Sequence, residues 1–140
     1  MRIEESRTIA APAQTAYDVI SDIERWPEWT PSAIKCELLT DGPLAAGSRA
    51  RMAMVGAPVT VWEVTAAEPG RSFTWKTKSR GVKSVAGHDV APDGDGCRVT
   101  LWLEMSGPGV ILFRPIIRKR SIRNVRQEAD GLKARAEGRK

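Results

Sequence analysis

The chain has 140 residues, 41% hydrophobic and 28% charged, with a net charge of +5. This suffices for one folded unit over residues 1–140 with its own core, needing no metal or disulfide staple. No apolar run approaches the ~20 residues that span a bilayer, and the opening "MRIEESRTIAAPAQ" lacks the apolar stretch of a secretory signal, so a cytoplasmic protein is expected.

"RIEESRTIA" reads as a strand with Ile3 and Ile9 on one face. The same parity places Glu5 and Arg7 beside them, which calls for either a bulge or a buried ion pair. Next, "APAQTAYDVISDIERW" has a proline at a plausible first helical turn, then Ala16, Val19, Ile20 and Ile23 at helical spacing. Ser21-Asp22 predicts a break into two short helices, and Pro27 ends the pattern. Trp26 and Trp29, in "RWPEWTP", sit where helix gives way to strand. They either pack beneath the helices or, Trp29 in particular, form the mouth of a cavity.

From residue 33 to 107 the chain alternates short β-branched and aromatic runs with turns, the pattern of six antiparallel strands. A four-residue turn Pro92-Asp93-Gly94-Asp95 would pair Val90 with Cys97, His88 with Val99 and Ala86 with Leu101. His88 then shares an apolar face with Val99, Leu101, Leu103 and Met105. A turn at residues 68–71 would pair Ala66 with Phe73, Val64 with Trp75 and Trp62 with Thr77. A three-residue "VGAP" loop would bring Met52 and Met54 onto the face of Trp62. Trp102, of opposite parity to its neighbours, belongs on the outer face.

After Pro115 a long helix is expected to about Glu137, with Ile122, Val125, Ala129, Leu132 and Ala136 forming an apolar stripe. Gly131 inside it is unfavourable by up to ~1 kcal/mol against alanine. One helix about 10–12 Å wide cannot fill the concave face of a seven-stranded sheet. Side chains, the two short helices or a ligand must do so. Basicity is concentrated in this last segment: residues 114–140 hold ten Lys or Arg and three acids, +7, leaving −2 for the rest.

The segments "AP…AYDVISDIERWPEWTP", "W-E-V…EPG…F-T-W" and "G-H-D-V-A-P-D-G-D-G-C-R-V-T", followed by the terminal helix, resemble the START-like, helix-grip proteins of the polyketide cyclase/dehydrase type. The resemblance spans essentially the whole chain. It implies an α+β fold in which a curved seven-stranded antiparallel sheet wraps a long C-terminal helix, with two short helices after the first strand. It also implies a deep cavity between sheet and helix, and it puts Cys36 and Cys97 on strands that are not neighbours.

The expected cavity residues are Trp29, Met52, Met54, Trp62, Phe73, Trp75, Thr77, His88, Leu101 and Leu103, with Ile122 and Val125 from the helix. The alternative for the apolar ones is a filled core. Methionines among aromatics suit an apolar ligand of loosely specified shape. His88, the sole histidine, is either a general acid/base, a hydrogen-bonding partner for ligand, or a structural histidine satisfied by the protein. One histidine and two cysteines without C-x-x-C spacing make a poor zinc set, and no cofactor is expected. The cysteines read as free, partly buried thiols.

No nucleophile, paired-carboxylate or other catalytic motif is present. The first reading is therefore a protein that binds a small hydrophobic molecule: lipid-like, isoprenoid or polycyclic. The second is a polyketide cyclase or dehydratase using His88. A third gives the basic helix an interaction role, at a protein partner or through peripheral contact of residues 114–140 with anionic membrane. Nucleic acid is disfavoured because residues 114–140 contain no aromatic side chain to stack on bases.

Overall fold

The computed structural model describes residues 1–138, so Arg139 and Lys140, the last two cations of the basic segment, lie outside the described residues. Strand β1 (Arg2–Ile9) leads into helix α1 (Ala13–Ser21) and a 3₁₀ helix over Ile23–Glu28. The expected break falls at Asp22, and Pro27 lies within the 3₁₀ turn. Six strands follow: β2 (Ala33–Leu38), β3 (Arg49–Met54), β4 (Thr60–Glu68), β5 (Ser72–Ser79), β6 (Val82–Asp93) and β7 (Gly96–Ser106). Helix α2 (Pro108–Ala136) closes the fold.

The seven strands form one antiparallel sheet in the order β1-β7-β6-β5-β4-β3-β2. Curled around α2, it is the expected α+β helix-grip arrangement. Cys36 on β2 and Cys97 on β7 are free, buried and five strands apart.

Parity assigned the faces, whereas turn lengths shifted the registers. The β6–β7 hairpin pairs His88 with Leu101 and Ala86 with Leu103, two residues away from the expected register. Its loop is the two-residue Gly94-Asp95, whose tight geometry Gly94 allows by taking φ +59°. A shift of two keeps every side chain on its face, so His88 still points inward. In the β4–β5 hairpin Val64 pairs with Trp75 as expected, but Phe73 pairs with Ala67 rather than Ala66. A bulge at Thr65 absorbs the extra residue.

β1 pairs with β7 without any bulge. Of the two alternatives for Glu5 and Arg7, the ion pair is realised, at 3.0 Å. From α2, Arg126 reaches Glu5 and Asp130 reaches Arg7, each at 2.8 Å, so the network ties sheet edge to helix.

Helix α2 starts seven residues earlier than expected. Pro108 occupies its first turn, where a missing N–H costs nothing. Pro115 does not begin the helix but bends it. Its ring crowds the carbonyl of Ile111, and Phe113 departs from helical geometry at φ −119°, ψ 25°. Beyond the bend, Val125, Ala129, Leu132 and Ala136 are buried as expected, and Ile117 and Ser121 extend the buried row. Gly131 has a specific reason: a Cβ there would lie 1.9 Å from the Trp29 backbone oxygen. The helix can approach the segment after the 3₁₀ turn that closely because it carries no side chain at this point.

Candidate functional site

The concave sheet face and α2 enclose two adjoining chambers, an inner one of about 170 Å³ and an outer one of about 360 Å³. Met54, Ala57, Trp62, Ser84, Met105 and Arg120 line both, so the chambers lie side by side. The outer chamber opens between the β3–β4 loop, the β5–β6 turn and the start of α2, where Pro58, Arg80 and Phe113 border it.

Of the residues expected to line a cavity, Met52, Met54, Trp62, Trp75, His88, Leu101, Leu103 and Val125 come together around the inner chamber. Thr77 borders the outer one. Its hydroxyl donates to the Val61 carbonyl at 2.7 Å. Phe73 is fully buried behind His88, and Ile122 is half-buried against the core; neither borders a chamber. Trp29 borders two other hollows, beside the 3₁₀ turn and the end of α2, instead of the mouth. It packs on Trp26 with ring centroids 5.5 Å apart, and its buried indole N–H has no partner among the described residues. Of the two neighbouring tryptophans, Trp26 is the one that reaches the inner chamber, while its N–H donates to the Ile20 carbonyl at 3.0 Å.

His88 is held by three aromatic rings. It stacks on Phe73 at 4.0 Å and meets the edges of Trp75 and Trp26 at 5.6 and 5.9 Å. Its Nδ1 lies 3.1 Å from the Phe73 carbonyl oxygen. A carbonyl can only accept, so Nδ1 carries the hydrogen and donates it. Nε2 faces the cavity on the opposite side of the ring, where Glu128 Oε1 lies 3.6 Å away. That separation exceeds a direct hydrogen bond. Both atoms thus keep hydrogen-bonding capacity for a hydroxyl or carbonyl placed beside them.

Glu128, whose side chain is 13% exposed, was not legible as a cavity residue. The signal was present: Ile117, Ser121, Val125, Glu128 and Leu132 fall at 4-4-3-4 spacing along α2. Ser121 and Asn124 join the inner lining from the same helix, and the Ser121 hydroxyl donates to Met105 Sδ at 3.8 Å. Arg120 stands at the junction of the chambers and donates to the Gly56 carbonyl, tethering α2 to the β3–β4 loop. The site is thus apolar and aromatic, with a small polar group at its inner end and one cation at its throat. Burial, with the Glu128 charge adding, pushes the nearby Cys36 thiol up to about 11. It is held as a thiol rather than a nucleophile. Among the described residues no cluster of three or more His, Cys, Asp or Glu could hold a metal ion, and no helix is long and apolar enough to cross a membrane.

An aromatase/cyclase named Zhui from Streptomyces sp. R1128 superposes with a TM-score of 0.80 at 18% identity, over 98% of this chain and 93% of that one. A START superfamily protein from Mycobacterium smegmatis does so with a TM-score of 0.79 at 20% identity, over 98% and 97%. At these identities the likeness speaks for the fold alone. An uncharacterized protein of Mycobacterium tuberculosis, Rv2574, is 24% identical over 92% of this chain and 84% of its own length. The family model described as polyketide cyclase / dehydrase and lipid transport matches residues 1–137. The chain therefore belongs to the polyketide cyclase/dehydrase and lipid transport family.

Proposed function

We propose that the chain binds a small hydrophobic molecule, lipid-like, isoprenoid or polycyclic, in the chambers between sheet and α2. The observation that carries this reading is their adjacency: six residues, four of them apolar, line both chambers, between His88 at the inner end and the opening of the outer one. A core built only for stability would be packed at crystal-like density and closed there. The outer chamber, at about 360 Å³, falls in the range of small-molecule sites. Affinity would come mainly from apolar area removed from water, roughly 25 cal/mol per Å². His88, Glu128 and Asn124 would fix the orientation of a polar end.

The test is a titration of the amide and indole NMR signals with palmitate, an isoprenoid quinone, a flavonoid and a polycyclic phenol. Saturable shifts at the Trp62 and Trp75 indoles and the His88 amide are expected for at least one. If every compound leaves all three unmoved, the reading fails.

The His88–Glu128 pair favours a second reading, a cyclase or dehydratase acting on a polyketide-like substrate. Nε2 would take a proton from a carbon beside a carbonyl, and Glu128 would stabilise the imidazolium formed. That proton would then go to the departing hydroxyl, which leaves as water. His88→Gln separates the two readings. A binder loses about one hydrogen bond, ~1 kcal/mol. An enzyme loses ~10²-fold or more in turnover with a modest change in affinity, measured by dehydration of a synthetic β-hydroxy ketone.

A further inference from the structure

The mouth of the outer chamber is surrounded by apolar side chains that nothing in the fold covers. Ile111, Leu112, Phe113 and Ile116, on the first turns of α2, are 80, 74, 56 and 67% exposed. Val55 and Val59 extend the patch from the β3–β4 loop. Isolated exposed apolar residues are unremarkable, but a contiguous group at one end of a molecule marks an interaction site.

The charge beside the patch has one sign. Residues 105–127 contain no acid. Arg114, Arg118, Lys119 and Arg123 are exposed, and among the described residues none of the four makes an ion pair. Apart from Arg114, which lies within the apolar run, the basic residues follow the apolar ones along the helix. From Leu112 to Lys119 the axis rises ~10 Å at 1.5 Å per residue. That matches the ~5–10 Å to which interfacial helices sink into the boundary of headgroups and acyl chains. We infer that this end of the molecule docks on an anionic bilayer, the tip of α2 entering the acyl boundary and the four cations lying among the lipid headgroups.

A second copy of the chain fits less well. In a two-fold contact the same surface meets itself, which would bring the unpaired cations of each copy together. The inference rests on the ligand reading only for what docking would accomplish: the chamber mouth would open onto the layer where an apolar ligand resides.

The test uses flotation of the full chain with vesicles of phosphatidylcholine alone or mixed with phosphatidylglycerol. Binding to the mixed vesicles, weakening with salt, is expected. Neutralising two cations by Arg118→Gln with Lys119→Gln should lower the partition coefficient roughly 30-fold, at about fivefold per charge. Ile111→Asp with Leu112→Asp, neither of which lines a chamber, should lower it roughly 100-fold or more. The same double variant should keep the indole shifts of the ligand titration. No binding to mixed vesicles, or binding that the aspartates leave unchanged, overturns docking. A dimer in light scattering that the aspartates split, without vesicle binding, overturns it in favour of self-association. Vesicle binding without ligand shifts would overturn the ligand reading and leave docking standing.

Discussion

Gly131→Ala sets two effects against each other, and the structure decides between them. In an exposed helix the change stabilises by up to ~1 kcal/mol, because alanine loses less backbone freedom on folding. In α2 the new methyl carbon would lie 1.9 Å from the Trp29 carbonyl oxygen and 3.2 Å from its ring. Carbon and oxygen ordinarily meet at ~3.3 Å or more, so the two backbones must separate by roughly 1.4 Å. The obstacle is main chain rather than the end of a flexible side chain, and it cannot rotate away. Overpacking of this kind costs roughly 1–3 kcal/mol, and a backbone collision belongs in the upper half. Subtracting the helical gain leaves a net loss of about 1–2 kcal/mol. With a urea slope of ~2 kcal/mol per molar, the unfolding midpoint should fall by ~0.5–1 M at unchanged slope. Trp29 fluorescence should shift with it. A variant as stable as the parent, or more so, would refute the claim that this glycine lets the helix seat against the Trp29 segment.

Three further outcomes follow from the same geometry. Cys36, with its thiol pushed up to about 11, should be alkylated by iodoacetamide at pH 8 about 100-fold more slowly in the folded chain than in urea, as its thiolate is correspondingly scarcer. Arg126 and then Arg7 hold the Glu5 carboxylate below its ordinary value near 4.5. Its contribution is therefore complete above that pH and lost as pH falls through the depressed folded value. The parent should exceed Glu5→Gln by about 1 kcal/mol at neutral pH, and denaturant curves should converge in acid; a gap that persists there would rule the network out as its source. Arg120→Ala removes the tether to Gly56 and should speed ligand exchange in NMR line shapes while moving the unfolding midpoint little.

The sequence carried the faces of the sheet more reliably than its registers. His88 pairs two residues away from its expected partner and yet points inward, because only an odd shift turns a side chain over. The bulge at Thr65 has no such protection and no sequence mark, since nothing about that threonine distinguishes it from Thr60 or Thr74. At Pro115 the residue type was informative but ambiguous, because proline can open a helix or bend one. Reading it as the opening hid the exposed apolar turns from Ile111 to Ile116. Glu128 was hidden for a different reason: its charge suggested solvent, although its spacing from Val125 and Leu132 placed it on the buried row. Trp29 shows the limit of arguing from residue type, since its body suits a cavity rim equally well and only tertiary packing turns it away.

The two ends of α2 pack differently against the rest of the fold. In its last turns the inward residues are Ala129, Leu132 and Ala136, with Gly131 allowing contact with the Trp29 backbone. Ala129, Ala136 and above all Gly131 let the helix come down onto the elements beside it, and no lining residue of either chamber lies beyond Glu128. Toward its beginning the helix bends at Phe113, and its buried positions are Val110, Ile117 and Ser121. The concave face of β3 to β7 is consequently covered at one end and open at the other. The open end is the one that carries the uncovered isoleucines and the unpaired cations. The bend at Phe113, beside Pro115, therefore falls in the same stretch of α2 that borders the outer chamber and carries the exposed apolar side chains.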